Sequence, residues 1–177
     1  IKDMTLNGLE YDFFGKESGR PTESISEKEF NINIDEDGKK YAIRGFIDKL
    51  FLYKKKKLAI IRDFKSSKQV FKGKEVTNNL QDLMYCLAVK HLYPEYLKRR
   101  SEFVFLKFDL SKDMLGKTGK GLLEMSPIED EELEGFEYEL TEIQKYLDNF
   151  TIKNAKSDFA ADQDYPRDGT FGGPLVC

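Results

Sequence analysis

Two aspartates and a lysine, Asp48, Asp63 and Lys65, punctuate the stretch GFIDKLFLYKKKKLAIIRDFKSSK from Gly45 to Lys68. Two apolar runs flank a lysine turn at Lys54 to Lys57. If those runs pair as a hairpin, the two aspartates come together, because neighbouring strands lie about 4.8 Å apart. Adjacent carboxylates repel, and burying both is costly unless a cation neutralises them. Hard oxygen ligands suit Mg²⁺ or Mn²⁺. Lys65 follows Asp63 by two residues, so on a strand both point to one face. Such a set can hold a metal, orient a water and stabilise charge developing on a phosphate. Glu27, on the preceding run, is a candidate third carboxylate, with Glu29 as the alternative. By spacing alone, these residues read equally as ordinary strand-end and turn residues.

The elements that must position this set follow from hydrophobic periodicity. A short helix is expected around Leu6 to Phe14. Phe30, Ile32 and Ile34 alternate with Asn31 and Asn33 in a strand from Ile25 to Ile34. Asp35 to Gly38 carries an Asp-Gly turn signal. Tyr41 to Tyr53 and Leu58 to Phe64 then complete a three-stranded antiparallel meander. A basic loop, Ser66 to Lys74, leads to a helix from about Glu75 to Leu92, with Pro94 just past its end. Gln81 and Tyr85, four residues apart, share one face of it. Glu102 to Leu110 is apolar on both faces and fits an interior strand, with Phe103 and Phe105 on one side and Val104, Leu106 and Phe108 on the other. An outer strand at Leu122 to Met125 and a helix from about Glu129 to Phe150 follow. That helix places Leu133, Phe136, Leu140, Ile143, Leu147 and Phe150 on one side. The fold class is therefore α/β, a mixed central sheet flanked by helices.

Three short motifs run in series: Gly45-Phe46-Ile47-Asp48, then Asp63-Phe64-Lys65, then Gln81 with Tyr85. This order resembles the PD-(D/E)XK nuclease superfamily, and within it the RecB-type exonuclease branch, which shows G-x-I/V-D, D-x-K and Q-x-x-x-Y on two strands and the following helix. The likeness covers about residues 25–92 closely and the later elements in outline. It implies a restriction-endonuclease-like core and a metal-dependent deoxyribonuclease, exonuclease rather than endonuclease, working in DNA repair, recombination or the processing of phage or bacterial DNA. It implies that Asp48 and Asp63 bind Mg²⁺ or Mn²⁺ and that the Phe64 carbonyl completes the shell. Lys65 would position or activate the attacking water, and Glu27 would be a further ligand or a supporting group. Gln81 and Tyr85 would hold the catalytic groups or contact the DNA backbone. Lys68 and Lys72, in the basic loop, offer phosphate contacts, which need only positive charge. The rival from another class is a nuclease-like module that binds nucleic acid without cutting it. The intact Asp48, Asp63 and Lys65 favour the enzyme.

Composition bounds the rest. At 177 residues, 40% hydrophobic and 34% charged, the chain suits one domain with a real core. That core is expected over about 25–150, with an irregular arm over 151–177. No apolar run reaches the roughly 20 residues of a membrane span, so a soluble, cytoplasmic protein without membrane partners is expected. The net charge of −3 gives no global basic field, leaving local clusters such as Lys98, Arg99 and Arg100, which read as solvated surface. Cys86 reads as a buried small hydrophobe. Two cysteines, Cys86 and Cys177, cannot supply the four thiolates of the iron–sulfur cluster that some branch members hold. His91, the only histidine, falls after all the motifs and reads as structural, whereas many RecB-type nucleases carry a histidine before the first motif. Leu115-Gly116-Lys117-Thr118 is not a P-loop, because Ser111 stands where its first glycine belongs. A helicase or recombination partner is not readable from these residues.

Overall fold

A computed structural model describes residues 2–16, 19–111 and 121–154. The Leu115 to Thr118 loop, Cys177 and most of the expected arm lie outside the described residues. The element order is α1 (Lys2–Glu10), β1 (Glu23–Glu36), β2 (Lys39–Tyr53), β3 (Leu58–Lys65), α2 (Lys74–Thr77), α3 (Leu80–Leu92), β4 (Lys98–Phe105), β5 (Leu122–Glu124) and α4 (Asp130–Asp148). The strands form one sheet in the order β1-β2-β3-β4-β5. β1, β2 and β3 are antiparallel neighbours, β4 joins β3 in parallel, and β5 closes antiparallel to β4. This is the mixed sheet with flanking helices that the hydrophobic pattern leads to.

Each connection has a local cause. Asp37 and Gly38 both take positive φ, 50° and 76°, as a type I′ hairpin turn requires. The lysine run forms one 3₁₀ turn, Lys54–Lys56, closed by Lys57 in the left-handed region. The expected helix from Glu75 to Leu92 is two helices. Asn79 is extended at φ −96° and caps α3, its side-chain oxygen accepting the Asp82 N–H at 3.1 Å. An asparagine that satisfies an orphan helix N–H starts a new helix more readily than it continues an old one.

Both faces of the sheet are covered. Phe30, Ile43, Leu50 and Ile61 pack with Leu87 and Val89 of α3 and Leu133 and Phe136 of α4. On the opposite face, Tyr11, just beyond α1, packs with Val104 and Leu110, while Phe51, Tyr53 and Ile60 form a further cluster. The strand expected from Glu102 to Leu110 instead runs from Lys98 to Phe105. The chain turns after Phe105, so Phe108 folds back onto the Phe103–Phe105 side instead of continuing on the Val104 side. Within the Lys98–Arg100 cluster, which opens β4, Lys98 is exposed as expected, but Arg99 and Arg100 are not solvated surface. Arg99 is buried and paired with Asp130, and Arg100 bridges Glu102 and Glu124. Leu133 and Phe136 of α4 are buried, but Ile143, Leu147 and Phe150, expected on the same apolar side, are exposed.

Candidate active site

The site forms where β2 and β3 meet the first turn of α3. Tyr41, Ile43 and Ile47 lie at odd positions of β2 and Leu50 and Leu52 at even ones, yet all belong to one core cluster. Side chains alternate strictly along a regular strand, so the alternation slips by one between 47 and 50. The slip puts Asp48 on the core side, level in register with Asp63, since Lys49 pairs with Arg62 in the next rung. Across the other edge of β2, Glu27 falls between the rungs Ser26–Lys49 and Lys28–Ile47. Its φ of +50° is a left-handed conformation that a non-glycine residue adopts at a cost inside a strand.

Asp63 is the centre of a hydrogen-bonded set. Its Oδ1 accepts from Gln81 Nε2 at 2.8 Å and from the Tyr85 hydroxyl at 2.9 Å. Gln81 Nε2 also lies 2.7 Å from the Tyr85 oxygen, and Gln81 Oε1 accepts from Lys65 Nζ at 2.6 Å. Lys65 Nζ stands 2.9 Å from Asp63 Oδ2, yet this buried oxygen has no hydrogen bond. The ammonium is therefore close enough for charge attraction but out of line for a bond. Asp48 is held separately, its Oδ2 accepting the Phe64 N–H at 2.8 Å. Burial pushes the Asp48 carboxyl above its ordinary range. The Phe64 N–H and Lys65 pull it down, Asp63 and Glu27 push it up, and the net shift is upward.

Asp48, Asp63, Lys65, Gln81 and Tyr85 are thus brought together. Glu27 is near enough for its charge to act on Asp48, but it is exposed. Among the described residues no three Asp, Glu, His or Cys side chains converge on one point. Glu29 pairs with exposed Phe46 and lies away from the site. Phe64 contributes its N–H to Asp48. Lys68 and Lys72 are exposed at the rim of the neighbouring loop. His91 sits at the far end of α3, its ring 3.0 Å from the Tyr41 hydroxyl and 3.3 Å from buried Glu137. Its contacts are with β2 and α4 and leave it out of the acidic set.

The packing role of one motif residue, Gly45, was not apparent from the sequence. A Cβ on Gly45 would come 2.8 Å from Phe30 Cζ. Gly45 leaves the slot that Phe30's ring fills, and that ring meets Tyr85 edge-on at 6.4 Å. The glycine of the first motif therefore reaches Asp63 through Phe30 and Tyr85. Gly45→Ala is expected to cost about 1–3 kcal/mol in thermal or urea unfolding, since buried Phe30 has little room to retreat.

A hard divalent cation fits the donors present. Two facing carboxylates, one with a buried oxygen that lacks a hydrogen bond, supply negative oxygen ligands, and burial, with Asp63 and Glu27 adding to it, raises Asp48, a cost that a bound cation would offset. A linked prediction concerns stability in EDTA. The folded state disfavours ionised Asp48, so the parent gains stability as pH falls through the raised value and has all of it below the ordinary 3.8. Asp48→Asn should therefore melt above the parent at pH 7 and lose that advantage as the buffer is acidified. An equal or lower melting point at pH 7 would contradict the charge balance described.

A family model of the PD-(D/E)XK nuclease superfamily matches residues 7–168, and the chain belongs to that superfamily. No curated protein matches the chain. Among solved structures it is similar to the crystal structure of SSO0001, at 18% identity and a TM-score of 0.39, over 84% of this chain and 60% of that one. The chain therefore spans about three fifths of that protein's length.

Proposed function

We propose that the protein is a metal-dependent nuclease of the RecB-type branch that hydrolyses DNA phosphodiester bonds, acting as an exonuclease in DNA repair, recombination or the processing of phage or bacterial DNA. The observation that carries the reading is the Lys65 ammonium held by Gln81 beside the hydrogen-bond-free Oδ2 of Asp63. Asp48 and Asp63 would hold Mg²⁺ or Mn²⁺, with the Phe64 carbonyl and Glu27 as further donors. When bound, such a cation polarises a phosphate oxygen and makes a bound water a nucleophile near neutral pH. The chain's own residues do the positioning. Gln81 and Tyr85 fix Asp63 through its Oδ1, which leaves Oδ2 turned to the site. Lys65, oriented by Gln81, places positive charge where the attacking water and the phosphate meet. Lys68 and Lys72 contact the phosphate backbone.

The test is incubation with linear and circular DNA in Mg²⁺, in Mn²⁺ and in EDTA. Cutting of linear DNA that needs the metal supports the proposal, and digestion confined to ends supports the exonuclease. Cutting that persists in EDTA overturns the metal mechanism. A folded protein that binds DNA in every buffer and never cuts it is the binding module.

A further inference from the structure

We propose that a cleft beside Lys65 is a stacking subsite for an unpaired nucleobase, so that the substrate is taken as a single strand. The inference rests on the nuclease reading for its role, but its evidence is separate from the acidic set. The cleft has a volume of about 570 Å³ and is lined by Lys68, Gln69, Val70, Phe71, Lys72 and Phe108. That volume lies in the range of sites that hold small organic groups. Its floor is aromatic. Phe71 packs edge-on against Phe103 at 5.1 Å and against Phe105 at 5.2 Å, and Phe108 stands edge-on to Phe105 at 6.3 Å.

Its rim is cationic. Lys68 and Lys72 are exposed, and neither ammonium is in an ion pair among the described residues. An apolar aromatic floor under two cations fits a ligand that carries a flat ring and a negative charge on one unit, which describes a nucleotide. The position supports this occupant. Lys65 Nζ lies 5.8 Å from the Phe71 ring centroid, so the cleft adjoins the ammonium that the proposed reaction would set against the phosphate. Bases inside a duplex have both faces covered by their neighbours, whereas an unpaired base offers a free face to an aromatic side chain. The reversal of the chain after Phe105, which carries Phe108 over the same side as Phe71, creates the platform.

Anisotropy in EDTA, with labelled oligothymidylate and a labelled blunt duplex as probes, tests the subsite without requiring catalysis. Phe108→Ala should weaken oligothymidylate binding about tenfold. Phe108→Tyr should restore it, and duplex binding should be unchanged by either variant. Lys68→Ala with Lys72→Ala should weaken both probes and flatten the salt dependence. If Phe108→Ala unfolds, Phe108→Leu keeps the apolar packing against Phe105 without offering a ring face and takes its place. Equal losses on both probes, or full single-strand affinity in the ring-free variant, overturn the subsite. A stacking effect in a protein that never cuts DNA with Mg²⁺ leaves the subsite standing and removes the nuclease reading. Cutting of single strands at the parental rate by the ring-free variant does the reverse.

Discussion

If the protein cuts DNA as proposed, Asp63→Asn should leave it folded and lower that cleavage by about 10³-fold or more. The amide oxygen can still accept from Gln81 Nε2 and from the Tyr85 hydroxyl, so the set that surrounds Asp63 keeps its hydrogen bonds. What disappears is the negative charge at the position of Oδ2, where Lys65 stands at 2.9 Å and a cation would bind. The loss should appear in turnover at saturating Mg²⁺, and DNA binding in EDTA should hardly change. Asp63→Ala is the poorer experiment, because it also leaves the buried Tyr85 hydroxyl and Gln81 amide without their acceptor. Gln81→Ala should do less than Asp63→Asn, because it loosens Lys65 and Asp63 without removing either charge. An Asp63→Asn protein that cuts within tenfold of the parent would sink the assignment.

Asp63 and its partners were singled out by the resemblance of three motifs in series, and strand alternation and helix spacing add only which of them share a face. Asp63 and Lys65 share a face by period two, and Gln81 and Tyr85 by the helical turn. The meander was equally plain, since β1, β2 and β3 follow one another with short turns. Three things were hidden, each for a physical reason. The slip between Ile47 and Leu50 falls opposite Glu27, whose left-handed backbone on the neighbouring strand is not announced by its residue type. The start of β4 was misplaced because Arg99 and Arg100 look like surface until Asp130, Glu102 and Glu124 arrive from distant segments to pair with them. The support of Gly45 for Phe30 is a contact across two strands, which becomes visible only once the register is known.

The same blindness to paired charge conceals the residue whose removal should do most damage to stability. Arg62 directly precedes Asp63 on β3, so its side chain leaves by the opposite face of the sheet. It is 2% exposed. Its Nε and Nη2 donate to Glu102 Oε2 at 3.1 and 2.9 Å, and its Nη1 donates to the Asp12 carbonyl at 2.8 Å. The guanidinium lies 4.9 Å from the ring centroids of both Tyr11 and Phe51. Arg62 therefore ties the segment after α1 to the strand that carries the site. Burial pushes the Glu102 carboxyl up, and Arg62 is the strongest influence opposing it. Arg62→Met strands that carboxylate and should cost about 3–5 kcal/mol, or a melting point lower by about 10 °C or more. The deficit should shrink as pH falls through the raised Glu102 value, because a neutral carboxyl no longer needs the arginine. Arg62→Met combined with Glu102→Leu should recover much of the loss at neutral pH, since replacing both partners removes the uncompensated charge. A single variant as stable as the parent at pH 7 would show that Arg100, 3.1 Å from Glu102 Oε1, can neutralise the carboxylate alone. If the site keeps its geometry in the double variant, cleavage should return with stability, which would separate the scaffold behind β3 from the chemistry in front of it.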